Sequence, residues 1–359
     1  MNPGAAPDLP PEAYAVALAS MPAMGPARLR SLLAADTPAH AWARANESNG
    51  ASEREVARAW QRQTSLGIRV LLAGQPSYPV RLVDDPQAPP LLFCLGDPAV
   101  LADAPTVALV GTRAPTRYGI GVAAQFGADL AAAGVSVVSG LALGIDGAAH
   151  EGACGAGAPP IAVVAGGLDH VYPRRHERLW ERVAASGVIA SESPAGVPTE
   201  KWRFPVRNRL LAALSDVVVV VESRHHGGSS YTVNAAMERG VPVGAVPGSI
   251  RSATSEGTNA LLADGAFPAC SAGDILIALA LEGAAVAVPG TPRGGSRFPR
   301  PVPTGREDGL VYEALSADPV PVDKLVRLTG LDLAGVCGGL ERLAQAGLAR
   351  DAGGWWAQA

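Results

Sequence analysis

The residues with the clearest chemistry lie in the segment Lys201-Trp202-Arg203-Phe204-Pro205-Val206-Arg207-Asn208-Arg209, which holds four cations, no acid and two aromatic rings. Cations that track a backbone beside flat rings on which bases can stack are the ingredients of single-strand nucleic-acid binding. Arg174, Arg175, Arg178 and Arg182 could widen the basic surface. From 171 to 209 there are eight basic residues and four acidic ones. A solvated charged loop would account for the cations, but exposing Trp202 and Phe204 is costly without a purpose.

Two small-residue turns suggest phosphate seats. In V-S-V-V-S-G-L-A-L-G-I-D-G-A-A-H (Val135 to His150), Gly140 and Gly144 open a helix whose first amides can cradle an anion, and Ser139 is placed to add a hydroxyl donor. In H-H-G-G-S-S-Y-T (His225 to Thr232), Gly228, Ser229 and Ser230 crowd before another helix, as a second polyanion pocket or as the far wall of the first. A third run, Val107 to Arg113, places Gly111 where a ligand can approach closely and projects Arg113 beyond the strand tip. Asp146 and His150 share a helix face, either as an acid/base dyad or as a structural carboxylate–imidazole hydrogen bond. The structural role is the simpler one, since no third ligand is at hand for a metal.

Other phosphate chemistries are excluded. A P-loop needs Gly-Lys-[Ser/Thr], and neither lysine, Lys201 or Lys324, follows a glycine. The dinucleotide fingerprint has a nominal match in Gly119, Gly121 and Ala124. It lies past the strand, and no acid ends the second strand to hold a ribose, so no cofactor is expected.

These positions sit at the ends of apolar runs starting near Thr106, Val135, Ile161, Val188, Asp216 and Val243, spaced 26 to 29 residues apart. That rhythm of strand-helix units predicts a doubly wound α/β domain with a parallel sheet, whose ligands bind beyond the carboxyl ends of the strands. The expected domains are a helical one over 1–80, the core over 81–288, a Pro/Gly/Arg-rich linker over 289–306 and a winged helix over 307–359. Helical spacing of Leu18, Leu29, Leu32 and Leu33, and of Val56 and Trp60, supports the first. Its Met21–Pro26 break resembles a helix-hairpin-helix turn, able to offer amides to phosphate, or is an ordinary turn, since Pro26 lacks one donor. In the last, Leu333, Val336, Leu340 and Leu343 mark one face of a third helix before a Gly353-Gly354 turn.

Length and composition set outer bounds. A chain of 359 residues with 48% hydrophobic and 17% charged residues is globular and has room for two or three domains. No apolar run spans a bilayer and Met1–Pro10 lacks the features of a signal peptide, so a cytoplasmic protein without a membrane partner is expected. The net charge of −4 excludes a uniformly basic coat for duplex DNA, and any nucleic-acid site must be local. Four scattered cysteines suggest neither a zinc site nor a disulfide framework. Residues 307–359 carry four cations against eight acids, which points the winged helix toward protein contact or regulation rather than phosphate.

Taken in order over about 106 to 266, V-G-T-R with T-R-Y-G, V-V-S-G-L-A-L-G-I-D-G-A-A-H, G-G-L-D-H-V-Y-P-R-R-H, S-E-S-P, F-P-V-R-N-R-L-L-A-A-L-S, V-V-E-S, A-V-P-G-S and S-E-G-T-N-A-L-L-A-D-G-A resemble the DNA-processing protein DprA (Smf) family. The resemblance implies a Rossmann-like core with an N-terminal helical (SAM/helix-hairpin-helix-like) domain and a C-terminal winged helix. It also implies a non-catalytic homodimer that binds single-stranded DNA, protects incoming DNA and loads the RecA recombinase during natural transformation. The implied DNA pocket includes Arg113, Ser139, Gly140, Lys201, Phe204, Arg207, Asn208 and Arg209. One departure is that Gly228-Ser229-Ser230-Tyr231 stands where the family has Ser-Gly-Ser and an apolar residue before its Thr. The competing reading is a nucleotide phosphoribohydrolase of the lysine-decarboxylase-like Rossmann type, whose Gly-Gly-x-Gly-Thr turn Gly227 to Thr232 loosely matches without the third Gly or an acid. An architectural duplex binder working through the winged helix is disfavoured by that module's charge.

Overall fold

The computed structural model describes residues 9–47, 52–103, 105–225, 227–286, 305–316, 319–346, 348–351 and 354–358. The chain forms one compact unit through Thr291 and another from Pro292. The expected linker lies outside the described residues as far as 304, and so does Gly353.

The first unit opens with α1 (Pro11–Ala19), α2 (Pro26–Ala35), α3 (Pro38–Ala45) and α4 (Glu53–Thr64). A proline begins α1, α2 and α3, where its missing N–H would have no helical partner. The Met21–Pro26 break falls between α1 and α2, as the helical spacing predicted. These helices do not form a core of their own: Leu18, Leu29, Trp42 and Val56 are buried in one cluster with Phe93, Leu168, Trp180 and Ile189 of the sheet region. Polar ties reinforce the joint, with Arg62 paired to Asp169 at 3.0 Å and Gln63 accepting the Ala195 N–H at 3.0 Å.

The rest of the unit runs β1 (Arg69–Leu72), β2 (Leu91–Gly96), α5 (Val100–Asp103), β3 (Thr106–Val110), α6 (Arg117–Ala132), β4 (Ser136–Ser139), α7 (Ile145–Ala153), β5 (Ile161–Val163), α8 (Glu177–Ser186), β6 (Val188–Ser191), α9 (Arg203–Ala213), β7 (Val217–Val220), α10 (Ser230–Glu238), β8 (Val243–Ala245), α11 (Glu256–Ala263), β9 (Phe267–Pro268) and α12 (Ala272–Leu281). The sheet order is β1-β2-β6-β5-β4-β3-β7-β8-β9. All pairs from β6 to β9 are parallel, and β3 to β8 start within one residue of the six expected positions. Two antiparallel strands at the β6 edge were not expected, and β1 lies within the segment assigned to the helical domain. Short apolar runs such as Arg69–Leu72 cannot be told from helix by periodicity, and these two fall outside the strand-helix rhythm.

In β7, Val218 and Val220 enter one core cluster while Val217 and Val219 enter another, the burial on both faces that its unbroken valine run implied. The strand order reverses at β3, with β4 on one side and β7 on the other. Such a reversal leaves a crevice beyond the carboxyl ends of the strands, where the chemistry-bearing residues cluster.

The second unit comprises α13 (Arg306–Ala314), β10 (Val320–Pro321), α14 (Val322–Thr329), α15 (Leu333–Gln345), β11 (Ala349–Asp351) and β12 (Trp355–Gln358), with antiparallel order β10-β12-β11. This is the winged helix. Val336, Leu340 and Leu343 are buried as expected, whereas Leu333, at the first position of α15, is exposed. Among the described residues no helix is long and apolar enough to cross a membrane.

Candidate nucleic-acid interface

The ends of β3 and β7, with the starts of α7, α9 and α10, enclose a cleft of about 390 Å³. Arg113 and Arg224 line it from the loops after the two strands. Neither has a carboxylate partner among the described residues. The Arg113 guanidinium lies 4.2 Å from the Phe204 ring centroid, and Tyr172 packs on Phe204 with centroids 5.6 Å apart. Phe204 therefore aims Arg113 as well as offering ring surface. Gly111 is structural: a Cβ there would lie 2.7 Å from the Glu222 carbonyl oxygen, so the neighbouring strand end, not a ligand, demands the glycine.

The β4–α7 turn differs from the expected open cradle. The Asp146 carboxylate accepts the Gly140 N–H at 3.1 Å, and the Ala142 amide adds a second stabilising contact. Ser139 is fully buried and its hydroxyl donates to the Leu109 carbonyl at 2.6 Å, so it is turned into the sheet and cannot serve as a ligand donor in this arrangement. Gly144, at φ +87°, lets the turn press against the β3 loop, since a Cβ would lie 2.4 Å from the Thr112 carbonyl oxygen. Asp146 and His150 do not bond each other. Asp146 holds the tip of β4, while His150 Nε2 meets the Ile161 carbonyl at 3.2 Å, each tying α7 to a different strand. Burial holds the His150 imidazole neutral, its pKa pushed down to about 4. Burial also raises the Asp146 carboxyl, opposed by Arg207 and Arg113.

Across the cleft the β7–α10 turn is open. The amides of Gly228, Ser229 and Tyr231 donate to no protein acceptor among the described residues. Ser229 is buried and donates to Ser223 Oγ at 2.7 Å, and the exposed Ser230 donates to the Gly227 carbonyl at 2.8 Å. Thr232 lines the cleft with 1% of its surface exposed, and its Oγ1 has no hydrogen-bond partner among the described residues.

The basic segment divides once α9 forms. Helical geometry turns Phe204, Arg207, Asn208 and Leu211 toward the cleft. Asn208 bonds the Gly228 carbonyl at 3.2 Å and so joins α9 to the open turn. Arg207 is buried, donates to the carbonyls of Gly140 and Val163, and is drawn down to about 10 by desolvation. It braces the strand tips from within. Arg209 is not among the residues that line the cleft and pairs with Glu192, whose side chain is largely buried, so the structure does not bring it to the cleft with the other residues of the expected DNA pocket. Arg203 stacks on Trp202 at 4.3 Å and donates to Ser193 Oγ. Lys201, Arg174 and Arg175 remain exposed without carboxylate partners among the described residues, and His176, which follows the Arg pair, bonds the Leu141 carbonyl at 2.9 Å beside the β4–α7 turn.

Sequence reasoning missed Arg224 as a cleft residue, and took in Tyr231 and Thr232 only as the end of the His225–Thr232 run without singling them out. The strand-tip logic that singled out Arg113 would have found Arg224 too, because it follows the Val217–Val220 strand as Arg113 follows Thr106–Val110. It also missed Glu222, whose buried carboxylate accepts the Thr116 N–H at 2.8 Å and the Thr116 hydroxyl at 2.6 Å, fixing the loop that carries Arg113. In the winged helix, Arg342 is the one cation of α15 and is held by Asp308 at 2.6 Å.

Residues 69–280 match the family model DNA recombination-mediator protein A, and residues 298–354 match the DprA winged helix domain. DNA processing protein DprA of Bacillus subtilis is 37% identical over 209 residues, covering 58% of this chain and 70% of that protein. A putative DNA processing protein DprA of Mycobacterium tuberculosis is 40% identical over 271 residues, 75% of this chain and 68% of its own length. The X-ray structure of DprA from Streptococcus pneumoniae superimposes with TM-score 0.61 at 29% identity, over 74% of this chain and 96% of that one. DNA processing protein A from Helicobacter pylori, described for its single-stranded DNA binding mode, gives TM-score 0.54 at 31% identity over 60% and 96%. The two family models cover the Rossmann-like core and the winged helix in turn, and the chain belongs to the DprA (Smf) family of DNA-processing proteins.

Proposed function

We propose that the cleft binds single-stranded DNA and that the protein acts as a non-catalytic recombination mediator. The observation that carries this reading is the pairing of two cations free of carboxylate partners, Arg113 and Arg224, with an open, donor-rich turn at Gly228–Tyr231. The amides and Thr232 Oγ1 suit a phosphate, while the half-exposed rings of Tyr172, Trp202 and Tyr231 suit unstacked bases. Lys201, Arg174 and Arg175 extend the track beside Tyr172.

RecA as the partner, a homodimeric state, a cytoplasmic location and a role in protecting and loading DNA during natural transformation complete the proposal, and family membership supports them. The same membership disfavours the phosphoribohydrolase reading. The winged helix, with its α15 cation neutralised by Asp308, serves protein contact or regulation rather than DNA.

Anisotropy titrations of matched single- and double-stranded oligonucleotides over a salt series test the binding. If three phosphates are neutralised, the logarithm of single-strand affinity falls against log salt with a slope of about −2. A duplex bound as tightly as its single strand would defeat the reading. RecA ATPase activity on single-stranded DNA, with and without the protein, tests the partner.

A further inference from the structure

The β3–α6 loop that carries Arg113 is held at both ends by one residue of the neighbouring strand end. Glu222 lies just past β7, is 2% exposed and is not among the residues that line the cleft. Its backbone carbonyl accepts the Thr112 N–H at 2.8 Å, and its carboxylate accepts the Thr116 N–H at 2.8 Å and the Thr116 hydroxyl at 2.6 Å. Between these anchors lie Arg113, Ala114 and Pro115. Gly119 makes room for the clamp: a Cβ there would run into the Glu222 carboxylate, so this glycine of the nominal dinucleotide fingerprint seats an acid of the chain itself.

The second cation of the cleft depends on the same residue. Arg224 follows Glu222 by two positions. The Glu222 carboxylate also accepts the Thr254 hydroxyl at 3.3 Å, and the Ser223 carbonyl accepts the Gly257 N–H at 2.8 Å, so the β8–α11 loop backs the Arg224 loop from the other side. A Cβ on Gly257 would lie 2.6 Å from the Arg224 carbonyl oxygen, which leaves no slack at that contact. Two cations can meet phosphates of one strand together only if their loops keep a fixed separation, and a loop already ordered in the free protein loses less freedom on binding.

We infer that Glu222 is a positioning residue for the cleft: by joining the three loops, and without meeting DNA itself, it sets the separation of Arg113 and Arg224 that one single strand spans. The role rests on the reading of the cleft as a single-strand site.

A double-mutant cycle on the full-length protein tests it, read as affinity for a fluorescent single-stranded oligonucleotide at a temperature below every variant's melt. Glu222→Gln keeps the size of the side chain but replaces one acceptor oxygen with an amide nitrogen that cannot accept from Thr116. It weakens binding about tenfold in the wild-type background and about threefold or less in Arg113→Ala, where Arg224 alone is left to misplace. A general loosening of the fold costs the same factor in both backgrounds, so equal factors overturn the inference, and so does a Glu222→Gln protein that binds like wild type. Thr116→Val, which removes the bridging hydroxyl, follows the Glu222→Gln pattern, while Thr116→Ser, which keeps it, binds within about twofold of wild type. A Thr116→Ser protein as weak as Thr116→Val also overturns the inference. Should Glu222→Gln fail to fold, the two Thr116 variants in the two backgrounds decide by the same criteria. If Arg113→Ala and Arg224→Ala each bind as wild type does, the single-strand reading of the cleft falls and the positioning role falls with it; equal factors beside a weakened Arg113→Ala overturn the positioning role alone.

Discussion

The two glycine-bearing turns that line the cleft use their polar side chains differently. In the β4–α7 turn the Ser139 hydroxyl, the Gly140 amide and Asp146 satisfy one another or the sheet. In the β7–α10 turn the Gly228, Ser229 and Tyr231 amides and Thr232 Oγ1 are left over. Buried polar groups in folded proteins are almost always paired, so the unpaired Thr232 Oγ1, buried in the wall of the cleft, marks a point where a ligand can complete the set. The closed wall holds the strand tips in place, and the open wall is left to bind.

The contrast extends to the cations, and Arg209→Ala gives its largest test. Its pair with Glu192 is mostly buried, so removal strands a carboxylate whose pKa burial already raises, and about 3–5 kcal/mol of stability should be lost. Urea melts would show this, while the single-strand affinity of the protein still folded stays near wild type. Affinity lost at unchanged stability would return Arg209 to the binding surface. Arg113→Ala should do the reverse. It breaks no ion pair among the described residues, and Arg207 still faces Asp146, so stability falls far less than in Arg209→Ala, while single-strand binding weakens by about 1.5–3 kcal/mol and the salt slope becomes shallower by about 0.7. An unchanged slope would mean that Arg113 meets no phosphate.

Periodicity made the parallel half of the sheet legible because strands buried on both faces leave long valine-rich runs, as at Val217–Val220, and the helices between them keep an even spacing. The antiparallel edge at Arg69–Leu72 and Leu91–Gly96 left no such rhythm. Within the site, residue type alone pointed to the right loops but could not sort their side chains. Arg207 and Arg209 lie two residues apart in one basic segment, yet the helix sends one inward to brace Gly140 and the other away to Glu192. Ser139 and Thr232 are hydroxyls at matching turns, and only three-dimensional pairing separates the one that is spent from the one that is free.

That last pair gives the smallest and most discriminating effect. Ser139→Ala removes a hydrogen bond the fold already uses and leaves the Leu109 carbonyl short of a donor. It should cost about 1 kcal/mol of stability with no direct loss of affinity. Thr232→Val replaces a buried hydroxyl that has no partner with a methyl of nearly the same shape. Nothing is lost in the free protein, whose melting temperature should hold or rise, because the desolvated hydroxyl was unsatisfied. Bound DNA changes the balance: if a phosphate oxygen accepts from Oγ1, the substitution lowers single-strand affinity by about 0.5–1.5 kcal/mol, roughly two- to tenfold. A Thr232→Val protein that melts earlier but binds as before would show that the hydroxyl serves the fold, and the division into a closed and an open wall would not hold.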